Sequence, residues 1–163
     1  MPIPPKRFNC LVAPNHSALW VFVPLGYTLI IQTLTGFPKP ETLKEISAHD
    51  FLLYISEELF NYPFWLQDLS HFPLFFVFAW LWTWFLRRKD YRYGNLVKSL
   101  LICISFAILN EFSQFFIPRR FPSTADVIMN LAGVLSSILI HTYFLRRRNK
   151  KLNESKPKHI ITD

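Results

Sequence analysis

Residues 64–86 read FWLQDLSHFPLFFVFAWLWTWFL. A hydrocarbon core of roughly 30 Å needs about 20 mostly apolar residues in a helix rising 1.5 Å per residue, and this run exceeds that length. It is apolar on nearly every side, whereas helices of soluble cores are shorter and amphipathic. Three more runs meet the same test: Ser17 to Gly36, without a charge; Leu96 to Pro118, with Lys98 near one end and Glu111 toward the other; and Ala125 to Leu145, with Asp126 at its start. The reading is an all-α polytopic membrane protein, a bundle of four transmembrane helices over about 17–36, 64–86, 96–118 and 125–145. An N-terminal segment, 1–16, precedes it and a basic tail, 146–163, follows.

Composition supports this. Of 163 residues, 51% are hydrophobic and 17% aromatic, which excludes disorder for most of the chain, and two cysteines exclude a disulfide scaffold. Neither Cys10 nor Cys103 has a basic neighbour that would activate a thiol. The first run resembles a signal peptide in having Lys6 and Arg7 before it, but its apolar part is long and no small-residue cleavage site follows, so it reads as a retained helix. The proline-rich start, MPIPPKRFNC, reads as extended.

Net charge is +7, and the placement of the basic residues decides what that means. With the N-terminus inside, 14 of the 18 Lys and Arg fall on inner segments. This positive-inside bias puts both termini in the cytoplasm. The tail RRRNKKLNESKPKHIITD abuts a spanning helix, so it reads as a cytoplasmic stop signal on anionic headgroups rather than a nucleic-acid patch. The longest outer connection, 37–63, contains TLKEISAHDFLLYISEELF, without Gly or Pro, and reads as one short interfacial helix over the outer mouth.

Ionisable groups inside a bilayer demand an explanation. Asp68 and His71 open the second span, Asn110, Glu111 and Gln114 lie toward the outer end of the third, Arg119 and Arg120 occupy the turn after it, and Asp126 and Asn130 start the fourth. These groups share one layer near the outer leaflet, while the inner halves of the spans hold little of the kind. Asp68 with His71 and Glu111 with Gln114 are three apart, and Asp126 with Asn130 four apart, so each pair shares a helix face. On the fourth span that face continues through Gly133, Ser137 and His141, within roughly 80° of arc. Val127, Ile128, Leu131, Leu135 and Ile138 are then expected to face lipid. Duller roles compete. Asp68 reads as an N-cap of the second span, with Pro73 in its early turns. Ser123 and Asp126 read as a capping pair. Glu111 has no such role, because the dipole near a helix C-terminus disfavours an anion.

The order E-x-x-Q (Glu111, Gln114), Pro118, Arg120, Ser123, Asp126, Asn130 and Gly133, after D-x-x-H-F at Asp68 to Phe72, resembles the VanZ-like family over roughly 64–140. One position departs: the family usually carries Gly before the Arg, where this chain has Arg119. The resemblance implies a bacterial cytoplasmic membrane protein connected with the cell envelope, through the founding member's link to resistance to the glycopeptide antibiotic teicoplanin. It implies no reaction.

Three readings follow. In the first, the layer binds an anionic amphiphile such as a lipid-linked cell-wall precursor or a glycopeptide among the membrane lipids, through Gln114, Arg120, Asp126 and Asn130. In the second, it is an enzyme site in which His71 is acid or base, Asp68 orients it and Glu111 is a second carboxylate. Asp68, Glu111, Asp126 and His71 could instead hold a divalent metal, but Arg120 beside them would repel a cation, and no P-loop or HExxH pattern is present. The sequence reading therefore expects no metal, no cofactor and no nucleic-acid partner. In the third, the layer only fixes helix register. The topology itself is testable. A C-terminal green fluorescent protein fusion should fluoresce in a bacterial host, and a Lys39→Cys variant should react with an impermeant maleimide from outside intact cells. The opposite pattern would invert the orientation.

Overall fold

In a computed structural model of the chain, residues 18–45, 47–87, 93–118 and 123–154 are described. The proline-rich start with Cys10, the segment carrying Arg119 and Arg120, and the end of the basic tail lie outside the described residues. No strand occurs among those described. A 3-10 turn, Ala18–Val21, runs into α1 (Phe22–Thr35), followed by α2 (Pro40–Glu45), α3 (Asp50–Phe60), α4 (Phe64–Leu86), α5 (Tyr93–Gln114) and α6 (Thr124–Glu154). Among the described residues, four segments are long and apolar enough to cross a membrane: Ala18–Thr35, Phe64–Leu86, Asn95–Gln114 and Thr124–Arg147. Each presents large apolar side chains outward, among them Leu29, Trp65, Phe112 and Leu139. That pattern suits a lipid solvent and would be a liability in water.

The core is built around α4. Phe75, Phe78 and Ala79 from α4 pack with Cys103 and Ala107 from α5, Val134 and Ile138 from α6, and Ile31 from α1. Phe78 stacks on Phe106 at 4.6 Å between ring centroids. The most extensive contact joins α4 to α6, and Gly133 allows it: a Cβ there would press on the Phe72 carbonyl oxygen and lie 3.0 Å from the Phe76 nitrogen. Backbones approach this closely where small residues line a membrane helix interface. The α1 helix docks along the opposite side through the Tyr27 hydroxyl, which donates to the Leu74 carbonyl at 3.3 Å, and through Trp82, whose indole N–H donates to Thr28 Oγ1 at 3.2 Å. Cys103 is a buried free thiol.

Several expectations need correction. The 37–63 connection holds two helices, not one. Ser47 takes a left-handed conformation (φ 50°), and the Ala48 N–H reaches back to the Leu43 carbonyl at 3.0 Å, which closes α2. His49 then caps α3, its Nδ1 accepting from the Phe51 N–H at 3.2 Å. The two helices are bridged by Lys44 and Glu57 at 2.9 Å, and the bond to Glu57 raises the Lys44 ammonium above its usual range. The pair is exposed and screened, so it orients α2 on α3 more than it stabilises them. Thr42 also donates to the Pro118 carbonyl at 3.2 Å, tying α2 to the chain beyond α5.

The N-cap of α4 is Pro63, so Asp68 lies inside the helix and caps nothing. Pro73 lies well within α4 rather than in its first turns. The third spanning helix stops at Gln114, and tight turns carry the chain on to Pro118. The fourth continues past residue 145 to Glu154. Ile138 is buried in the core rather than facing lipid; Ile128, Leu135, Leu139 and Ile140 are exposed. The halves of the spans away from this layer, expected to hold little polar character, also hold a second polar layer, described below.

Gly133→Ala should destabilise the detergent-solubilised protein by about 1–3 kcal/mol, because the new methyl meets backbone that cannot swing aside. Gly26→Ala, whose Cβ would meet nothing within 4 Å, should be neutral or mildly stabilising. Equal thermal melts for wild type and Gly133→Ala would contradict the close α4–α6 approach.

Candidate functional site

Three helices deliver polar side chains to one buried cluster. His71 comes from the second and third turns of α4, Asn110, Glu111 and Gln114 from the end of α5, and Asp126 and Asn130 from the start of α6. All six are buried, with Glu111 3% exposed and Asn130 fully enclosed. The local sequence explains the positions. Ser123 caps α6, its Oγ accepting from the Ala125 and Asp126 N–H groups at 3.2 and 3.4 Å, as the capping pattern expected. Asp126 therefore sits in the first turn, where the helix dipole favours an anion, and also turns toward His71. Both roles belong to one carboxylate.

Asn130 is the hub. Its Nδ2 donates to Glu111 Oε1 at 3.0 Å, and its Oδ1 lies 3.0 Å from His71 Nδ1. Gln114 and Asn110 add amide contacts to the same Glu111 oxygen at 3.4 and 3.5 Å. Three amide groups thus converge on one carboxyl oxygen, which accepts from them. This orients the Asn130 amide, because the nitrogen must face the carboxylate. The amide oxygen then faces His71, so Nδ1 carries the hydrogen. Nε2 is left directed toward Asp126, whose Oδ1 is 3.8 Å away. Glu111 Oε1 is also 3.8 Å from Nδ1. The other carboxylate oxygen, Glu111 Oε2, is buried and has no hydrogen-bond partner. The ring of Phe75 lies nearly parallel to the imidazole at 6.5 Å, an apolar floor under the cluster.

Of the residues singled out from the sequence, His71, Glu111, Gln114, Asp126 and Asn130 are thus brought together. Asp68 is half-buried one turn from His71, and no hydrogen bond or ion pair joins it to the cluster among the described residues. Arg120 lies outside those residues. The structure adds Thr35 of α1, whose Oγ1 is 2.7 Å from Asn110 Oδ1, and Gln32, which donates to Ser113 Oγ at 2.9 Å. The signal was present: Thr28, Gln32 and Thr35 are four and three apart and share one face of α1. A second layer lies toward the other end of the bundle. Thr83, Arg87, Ser137 and His141 are buried there, and Arg87 donates to Thr142 Oγ1 at 3.0 Å. The small and polar stripe of α6 is buried along its length, from Asp126 to His141.

An oriented imidazole between two carboxylates can exchange a proton or hold a cation. Asn130→Ala should lower the melting stability by about 1–3 kcal/mol, since it leaves buried His71 and Glu111 groups without their shared partner. Wild-type stability in that variant would show that the bridge is unimportant.

No curated protein and no solved structure matches the chain. Residues 22–146 match the VanZ/LLP1 family. That span runs from the first residue of α1 to the basic end of the fourth spanning segment and includes every member of the cluster. The chain is a multi-pass membrane protein that belongs to the VanZ/LLP1 family.

Proposed function

We propose that this protein binds, at the outer leaflet of a bacterial cytoplasmic membrane, the polar headgroup of an anionic lipid-linked or other cell-envelope molecule. The observation that carries this reading is the buried cluster of His71, Glu111 and Asp126, one residue from each of three helices. Helix register alone is served by amides and hydroxyls, at roughly 0.6 kcal/mol per bond. Two carboxylates and an imidazole are a costly way to obtain it.

The outer placement rests on the distribution of Lys and Arg, which concentrates at the opposite end of the spans. Exposed aromatics flank the cluster's end of the bundle: Phe64 and Trp65 at the start of α4, and Phe112, Phe115 and Phe116 at the end of α5. They offer an apolar wall for an acyl or isoprenoid chain. Arg120, between α5 and α6 in the chain, supplies a guanidinium for a phosphate or carboxylate. A lipid-linked cell-wall precursor as ligand would fit the teicoplanin-resistance link of the VanZ-like resemblance.

One observation favours a second reading, catalysis on such a headgroup: Asn130 holds the His71 ring so that Nε2 faces Asp126, an oriented acid–base pair. Native mass spectrometry of the purified protein with co-purifying lipids tests both readings. The wild type should retain an anionic lipid. Arg120→Ala should retain it at least about tenfold less, the loss expected for one charge-assisted contact. Glu111→Gln, folded, should alter its retention. A changed lipid product seen only with wild type would favour the enzyme. Identical, unselective spectra from all three proteins would overturn an Arg120-anchored lipid site.

A further inference from the structure

The headgroup reading contains an electrostatic problem. The described part of the site holds two carboxylates, Glu111 and Asp126, within reach of one imidazole. Each carboxylate repels a phosphate in a low-dielectric setting, and Arg120, which the lipid-binding reading assigns to the headgroup, offsets by formal charge only one of the two. A bound cation inverts that field and is often the largest charge in such a site.

We propose that His71 Nε2, Glu111 Oε2 and the Asp126 carboxylate hold one divalent cation of the Mn2+ or Zn2+ class, which offers its open positions to an anionic oxygen of the headgroup. Three observations support it independently of any ligand. First, His71, Glu111 and Asp126 each present a ligating atom within 4.8 Å of the others. Donors around a tetrahedral ion at 2.0–2.2 Å lie about 3.3–3.6 Å apart, so shifts of about an ångström complete the set. Second, the orientation of the ring suits a metal. Asn130 accepts from Nδ1, as an outer partner of a ligating histidine does, and leaves Nε2 for the ion. Third, the Glu111 carboxylate is divided. Oε1 takes the amide contacts of Asn130, Gln114 and Asn110, while Oε2 is buried with no hydrogen-bond partner. A carboxylate held by one oxygen and open at the other is a pre-oriented ligand.

One imidazole with two carboxylates suits Mn2+ or Zn2+ better than a soft-thiolate metal, and three protein ligands leave coordination positions open. The bridge to a headgroup oxygen rests on the lipid-binding reading; the cation site does not.

The test is metal content by inductively coupled plasma mass spectrometry. Full-length protein in detergent, stripped with EDTA and lipid-depleted, is equilibrated with MnCl2 or ZnCl2 and desalted. About one ion per chain should remain with wild type, and less than a tenth of that with Asp126→Asn or His71→Ala. In parallel, the ion should raise the melting temperature of wild type, and EDTA should reverse the rise. Should the variants fail to fold, the wild-type content and melt decide. Wild type that takes up neither metal and shows no shift overturns the cation site, as do folded variants that retain the wild-type content. Wild type that takes up no ion yet still retains anionic lipid overturns the cation and leaves lipid binding standing. An ion bound without lipid selectivity does the reverse.

Discussion

The hydrogen bonds of Asn130 set the register of this protein. One amide on α6 donates to Glu111 on α5 and accepts from His71 on α4. In a bilayer, where no water relieves an unsatisfied group, both partners must find each other within the bundle. A turn of any one helix by a single residue, about 100°, would carry its contribution out of the cluster. Gly133, less than a turn further along α6, permits the closeness this demands, because its missing side chain lets the backbone of α4 sit directly against α6. Polar satisfaction and close packing therefore depend on one short stretch of α6.

The remaining architecture protects that stretch. Phe75, Phe78 and Phe106 form an aromatic layer beneath the cluster, separating it from the second polar layer around Ser137 and His141. Two short helices, α2 and α3, fill the long connection between α1 and α4, and α2 is tied to Pro118 next to the end of α5. The α1 helix completes the bundle, reaching the cluster through Thr35 and Asn110. Apolar surface is spent outward on lipid and polar groups are turned inward, the reverse of a soluble protein.

Much of this was legible in the sequence. Four apolar runs of spanning length could only be membrane helices, because nothing else satisfies their backbone in hydrocarbon. The i, i+3 and i, i+4 spacing of the polar residues placed them on faces, and their shared depth placed them in a layer. Errors arose where a rule of composition met a local backbone event. Nothing in TLKEISAHDFLLYISEELF forbids one continuous helix, yet a left-handed Ser47 and the cap at His49 divide it. Ile138 looked lipid-facing, since an apolar residue is acceptable on either side of a membrane helix, and only its neighbours decide. The Thr28, Gln32 and Thr35 face of α1 names no partner by itself, and only the fold sets Asn110 beside Thr35.

The sequence by itself determined the number of spans, the uneven distribution of basic charge and which residue types occupy each helix face, because hydropathy, charge and periodicity are properties of single segments. The tertiary structure alone decided which faces meet. It set Glu111 against Asn130, turned His71 Nε2 toward Asp126 while leaving Asp68 outside the cluster, and buried a second polar layer around His141. Those pairings are set by distances between helices far apart in the chain, and a one-dimensional pattern carries no record of such distances.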